Sequence, residues 1–251
     1  MLDPSAPLEI FEEIDSTIVE ARRRAERGEL GPVWMIARRQ TAGRGRRGRS
    51  WASIDGNLMA TYLGAVQAPP AEIALLGFAA GVSISEAFDE IVGPGRATLK
   101  WPNDLFLDGA KAAGLMLDSG ALDRPGAYWL ALAFGVNIVG SPDGIDQETA
   151  ALRDALPPDA IAPTPEALLA LIRTRLETYA ARLSTEGFEP LRRAWLSRAH
   201  GLGRPEKVLI GAETVEGRIA GLSQRGELEL DTGAGVRLVA AGDVLLTTAA
   251  A

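Results

Sequence analysis

The sequence predicts an α+β fold: a mixed, largely antiparallel sheet with helices over residues 1–203, then a small all-β barrel over 204–251. Three observations carry this. Apolar runs at 105–107, 112–118 and 128–139 are separated by Asp108-Gly109 and Asp123-Arg124-Pro125-Gly126, the pattern of an antiparallel meander. Two helical stretches open on proline, Pro69-Pro70 and Thr164-Pro165. Beyond Arg204 the apolar period falls to two, in short pieces separated by Gly-bearing turns.

In chain order, Leu8 to Ile14 reads as a strand, and Asp15-Ser16-Thr17 precedes a helix ending at Gly28. Thr17 and Glu20 fit a capping box, and Gly28 fits the left-handed stop. Val33–Arg38 and Leu58–Leu63 are apolar and β-prone. Pro69-Pro70 opens a long helix to about Ile91, with Ile73, Leu76, Ala80, Ala87 and Ile91 on one face. Thr98 to Trp101 is short and extended, and the meander follows. Pro157 to Pro163 is a loop. Thr164 caps a helix running to about Ser184, and Phe188–Ala199 makes another. The barrel strands are expected at Val208–Ile210, Thr214–Ile219, Glu227–Leu230, Val236–Val239 and Val244–Thr247, with Gly201-Leu202-Gly203 as the joint. Trp34, Trp129 and Trp195 sit on apolar patterns and are expected in the core, and Arg22-Arg23-Arg24 on a solvated helix face.

Composition removes several chemistries. Hydrophobic residues make up 47% and charged residues 24%, which is globular. There is no Cys, hence no disulfide and no thiol nucleophile, and one His (His200) leaves a zinc site without its usual ligands. A Ser-His-Asp hydrolase would need His200, which reads as a surface or interface residue at the joint. No apolar run reaching about 18 residues is read, so no membrane span is expected. The N-terminus lacks the basic and apolar regions of a secretory signal, and a soluble cytoplasmic protein is expected. A net charge of −7 opposes nucleic-acid binding through overall charge but leaves room for a local basic patch.

Such a patch exists. Arg38 to Arg49 holds six arginines, with glycines at 43, 45 and 48. Glycines can turn backbone N–H groups inward around an anion, and arginine supplies forked donors for phosphate or carboxylate. The same composition also suits a solvated basic loop or a nucleic-acid tract. Next, Lys100-Trp101-Pro102-Asn103-Asp104 groups a cation, an apolar ring, an amide and a carboxylate at a strand end; the alternative is a turn with a core Trp. Then Lys111-Ala112-Ala113-Gly114-Leu115 starts the return strand: Gly114 permits close approach, and Lys111 is either a site residue or a solvated hairpin lysine.

The arrangement of the three, Gln-x-x-Gly-Arg-Gly-Arg-Arg-Gly-Arg-x-Trp, then Lys-Trp-Pro-Asn-Asp, then Lys-x-x-Gly-Leu, resembles the biotin–protein ligases, the biotin–[acetyl-CoA-carboxylase] ligase family. The resemblance runs from Asp15-Ser16-Thr17 through the C-terminal β-domain. It implies a class II synthetase-like biotin/lipoate ligase catalytic domain with an SH3-like barrel. It also implies the monofunctional type, since about 14 residues precede Asp15, too few for a helix-turn-helix.

The resemblance further implies an ATP-dependent enzyme that forms biotinyl-5′-AMP and transfers biotin to a lysine of a biotin carboxyl carrier protein. Ser16 and Thr17 match the family's biotin-binding segment, with Ile18 where Asn is usual. Gln40, Gly43, Arg44-Gly45-Arg46 and Trp51 match its loop. Lys100, Asn103 and Asp104 match residues near nucleotide and metal, and Asp104 is the candidate to assist Mg²⁺ bound with ATP. Lys111 matches the lysine at the biotin carboxylate and α-phosphate, with Gly114 beside it. Asn137 matches a late-strand asparagine once the segment is slid by one. Lys111 and Arg46 are thereby implied as the catalytic pair. Biotin and MgATP are the implied substrates, with no zinc or redox cofactor, no DNA and no membrane, and a homodimer compatible. Lipoate–protein ligase, of related fold, and a non-enzymatic nucleic-acid binder are the alternatives.

Overall fold

The computed structural model describes residues 2–142 and 147–245. Strand β1 (Leu8–Ile14), helix α1 (Thr17–Glu26) and β2 (Val33–Gln40) form a parallel crossover, β1 pairing with β2. Then come β3 (Leu58–Gln67), α2 (Pro70–Val92), β4 (Ala97–Lys100), β5 (Asp104–Leu107), β6 (Ala110–Ala121) and β7 (Ala127–Val136). They complete a seven-stranded sheet of order β1-β2-β3-β7-β6-β5-β4, antiparallel everywhere but β1–β2. The expected meander is β5-β6-β7, and its Asp108-Gly109 turn has both residues at positive φ, 50° and 88°.

Alternation along β2 sets the layers. Trp34 and Ile36 face the main core under α2, whereas Val33 and Met35 face α1 through Ile18, Ala21 and Ala25. Helices α3 (Pro165–Glu186) and α4 (Glu189–Leu196) close the main core over α2. Thr164 caps α3 as expected, its Oγ1 accepting from Ala167 N–H at 3.2 Å.

The C-terminal part holds β8 (Pro205–Ile210), β9 (Glu213–Leu222), β10 (Leu228–Asp231), β11 (Val236–Val239) and β12 (Asp243–Leu245), an antiparallel five-stranded sheet of order β11-β10-β9-β8-β12. Residues 246 and 247 of the last expected strand lie outside the described residues. Among the described residues this sheet has no separate core: Val208, Ile219, Leu222, Leu228 and Val244 join the apolar cluster of α2. Trp101 Nε1 donates to the Gly226 carbonyl at 3.1 Å, and a Cβ on Gly226 would stand 2.7 Å from Phe78.

Several sequence expectations are corrected. Ser16, not Thr17, is the N-cap of α1, and its side chain makes no cap bond; the Thr17 hydroxyl, expected to cap, is bonded to Gln40 and Thr61. Helix α4 stops at Leu196 because the following backbone pairs with the open edge of β4: Leu99 N–H donates to Arg198 O and His200 N–H to Leu99 O, both at 2.8 Å. Trp34 and Trp195 are buried, but Trp129 is only half-buried at the sheet's other face. Arg22 and Arg24 are not merely solvated; they pair with Asp118 and with Glu9 and Glu20. Finally, α2 is long and apolar enough to cross a membrane by length and composition, which the reading of apolar runs missed. Two-thirds of that stretch is buried inside the protein, so α2 is its core helix.

Candidate active site

The sheet face carrying α1 bounds a cavity of about 1020 Å³. Its floor is Gly114 of β6 and Gly135 of β7, its cover the loop from Gln40 to Trp51, and its far rim Asp243 to Leu245. Every sequence-predicted site residue lines it except Gly43. Gly43 works behind the loop: its carbonyl accepts from Trp51 N–H at 3.0 Å, and a Cβ there would stand 2.5 Å from Trp51 O. Between these points the loop closes on itself, Gly45 N–H donating to Arg49 O at 2.8 Å around one tight turn at Arg46–Gly48.

One end of the cavity is neutral. Gln40 Oε1 accepts from Thr17 N–H at 2.8 Å and from Thr17 Oγ1 at 3.2 Å, while Thr61 Oγ1 donates to Thr17 Oγ1 at 2.8 Å. Ser16 Oγ and Trp51 Nε1 are buried without a hydrogen-bond partner among the described residues, so both are available to a ligand. Ile18 contributes apolar wall beside them.

The other end is charged. Lys111 Nζ lies 2.6 Å from Asp104 Oδ1, and Lys100 Nζ lies 3.9 Å from Asp104 Oδ2. The register shift between Leu105 and Phe106, a bulge against β6, lies at this point of the ladder and re-aims the strand next to Lys111. Burial pushes the Lys100 ammonium below its ordinary pKa, against the pull of Asp104. Burial likewise lowers Arg46, whose Nη1 donates to Asn103 Oδ1 at 3.0 Å. Asn103 Nδ2 donates in turn to Leu115 O at 2.8 Å, tying the loop to the sheet. Asn137 is buried: its Nδ2 donates to Ala150 O at 3.1 Å, and its Oδ1 meets Asn57 Nδ2 at 3.4 Å. Trp101 is a core residue, as the plainer reading of its motif allowed.

Three contributors escape the sequence reading. Asn57 Oδ1 accepts from the N–H groups of Ile138 and Val139, at 2.8 and 3.0 Å, fixing the chain just after Asn137. His200 lines the cavity, stacked on Phe106 with centroids 5.0 Å apart and Nδ1 3.3 Å from Thr98 Oγ1. Asp243 meets the loop arginines from almost 200 residues away, and no local pattern marks it. Among the described residues no three His, Asp or Glu side chains are grouped to hold a metal ion.

The family described as Biotin/lipoate A/B protein ligase matches residues 13–121, and the Biotin protein ligase C terminal domain matches residues 201–246. The chain is 37% identical over 237 residues to a biotin–[acetyl-CoA-carboxylase] ligase of Paracoccus denitrificans, covering 92% of this chain and 96% of that one. It is 29% identical to the ligase of the same name from Mycobacterium tuberculosis, over 95% of this chain and 88% of that one. Among solved structures it is similar to the biotin protein ligase of Aquifex aeolicus in complex with biotin and ATP, with TM-score 0.78 and 26% identity over 95% of this chain and 97% of that one. With the arginine loop, the lysine pair and the C-terminal sheet in these positions, the chain belongs to the biotin protein ligases of the biotin/lipoate A/B protein ligase family.

Proposed function

We propose that this cavity joins biotin to ATP as biotinyl-5′-AMP and then passes biotin to a lysine of a biotin carboxyl carrier domain. The observation that carries this reading is one cavity with a neutral hydrogen-bonding end at Ser16, Thr17 and Gln40 and a cationic end at Lys100, Lys111 and Arg46. A ureido ring with an apolar tail ending in a carboxylate suits that polarity.

In the first step a biotin carboxylate oxygen attacks the α-phosphorus and pyrophosphate leaves. In the second, the neutral carrier lysine amine attacks the mixed anhydride's carbonyl, AMP leaves with the bonding electrons, and the nitrogen gives up a proton to leave the amide. Neither step needs a covalent enzyme intermediate. Charge neutralisation and alignment supply the rate. Lys111 is the ammonium that bridges carboxylate and α-phosphate, and Asp104 holds it in place at 2.6 Å. Lys100 and Arg46, already desolvated, face the phosphates with little hydration to lose. Gly43, Arg44, Gly45 and Trp51 make the cover that keeps water from the anhydride. Gly114 and Asn137 shape the floor. Magnesium would enter with ATP as part of the substrate; both Asp104 oxygens face ammonium groups, so phosphate and water would hold most of it, with Asp104 or Asn103 assisting.

The chain divides functionally near 203/204, the first part carrying the biotin and nucleotide groups and the second closing the rim through Asp243 to Leu245. We place the protein in the cytoplasm, without a role on DNA: the net charge is −7, and Asp243 offsets part of the charge of Arg47 and Arg49.

Biotin-dependent exchange of pyrophosphate into ATP tests substrate and chemistry together. Exchange with biotin and none with lipoate is expected. Exchange with lipoate alone would transfer the reading to lipoate ligation.

A further inference from the structure

The arginine loop and the C-terminal sheet meet at one carboxylate. Asp243 Oδ2 accepts from Arg47 Nη1 at 2.7 Å and lies 3.5 Å from Arg49 Nη2, while Oδ1 is 3.9 Å from Arg46 Nη1. Asp243 is four-fifths buried, and its backbone is pinned in β12 opposite Leu209. Arg47 takes φ 55°, a conformation that needs a compensating contact in a residue with a side chain. Three guanidinium groups within five residues repel one another, and a single carboxylate leaves excess positive charge, which a polyphosphate can neutralise.

The distances divide the labour. Arg47 is hydrogen-bonded to Asp243 and Arg49 lies next to it, whereas Arg46 sits at the margin of Asp243, donates to Asn103 Oδ1 and lines the cavity. We infer that Asp243 is a positioning residue for the ligation: an internal counter-anion through which the C-terminal sheet holds the arginine loop over the cavity, leaving Arg46 to the nucleotide phosphates. This rests on the ligase reading of the cavity. It makes the C-terminal sheet part of the nucleotide site through one side chain rather than through bulk packing.

The test uses the full chain with Asp243→Asn, which keeps shape and removes charge, and Asp243→Glu, which restores charge. Without added biotin or ATP, trypsin should cut Asp243→Asn at the loop arginines at least about fivefold faster than the wild type, because the loop opens more often. Cleavage elsewhere and the melting temperature should be unchanged, and Asp243→Glu should restore much of the protection. In exchange assays, Asp243→Asn should raise KM for ATP several-fold with kcat changed less than about twofold. Unchanged loop cleavage in Asp243→Asn would overturn the inference, as would equal loss of protection across the whole chain with no rescue by Asp243→Glu. The proteolysis uses no substrate, so it can fail while biotin-dependent exchange persists, and exchange can fail while the loop remains protected by Asp243.

Discussion

The indole of Trp51 rests on the backbone of Gly135: a Cβ built on that glycine would stand 2.3 Å from Cε2 and 2.4 Å from Nε1. Gly114 on the neighbouring strand leaves only 3.0 Å to Cζ3. Two adjacent strands are therefore cleared for one ring, and that ring ends the arginine loop. Gly135 has an ordinary backbone conformation, so Gly135→Ala strains nothing but this contact. The variant should fold, displace the indole and release biotinyl-AMP on the order of tenfold faster, from a loop that no longer seats. Gly77→Ala, in α2 with nothing within 4 Å of its Cβ, is the control; it should gain about 0.5–1 kcal/mol of stability and leave adenylate retention unchanged. Equal retention by Gly135→Ala and wild type would show that Trp51 does not seat the cover.

Lys111 supplies the second prediction. Its ammonium is mostly buried and paired with Asp104, so the solvated-hairpin reading of the sequence does not describe it. Lys111→Ala should slow biotin-dependent exchange by roughly 2–4 kcal/mol of transition-state stabilisation while weakening ATP binding far less. Lys111→Arg should rescue poorly, because a planar fork does not fit where a compact ammonium meets one carboxylate oxygen at 2.6 Å. Near-normal exchange in both folded variants would remove Lys111 from the chemistry.

His200 gives a pH dependence of stability. Burial holds its imidazole below the ordinary value of 6.5; Glu206 pulls it up, and Lys100 and Arg204 push it further down. Below about pH 6.5 the unfolded chain therefore binds a proton that the folded chain does not. The stability His200 contributes is full above that value and is lost as pH falls toward its folded-state pKa. Urea midpoints measured between pH 7.5 and 5.5 should decline less steeply in His200→Asn than in the wild type. Parallel declines would show that the imidazole takes up its proton freely in the folded protein.

What the sequence could show followed from the range of each signal. Strand and helix periods, the proline starts and the Asp108-Gly109 turn are local, and the corresponding elements formed within a few residues of their expected ends. The paired motifs at 40–51 and 100–114 were legible because each is contiguous, and the sheet order brings their ends to one cavity. The capping box at Thr17 failed because a hydroxyl that satisfies a local rule was taken by Gln40 and Thr61, 23 and 44 residues away. His200 and Asp243 were invisible for the same reason: each reaches the cavity through strand-like pairing with a distant segment, at Leu99 and at Leu209.

The last prediction concerns the joint at 203. A barrel with its own core could be removed and leave a folded enzyme. Here the C-terminal sheet shares its core with the helices: Leu222, Leu228 and Val244 belong to the cluster that contains Phe88 and Leu99. Truncation after Gly203 would uncover Trp101, now 3% exposed, and strip its Nε1 of the Gly226 carbonyl. It would also expose the Phe78 ring that packs edge-on against Phe188 and Trp195, at 5.5 and 5.7 Å between centroids. Burying one such aromatic side chain is worth about 1.5–3 kcal/mol, and the apolar face that Leu222, Leu228 and Val244 cover is lost with them. Together these approach the whole stability of a domain, about 5–15 kcal/mol. The 2–203 fragment should therefore be aggregation-prone or unfold at far lower urea than the full chain, in a single transition that the full chain also shows. A fragment that melts like the full chain, or a full chain that unfolds in two separate steps, would show that the C-terminal sheet is an independent unit and that its contact with the helices is only apposition.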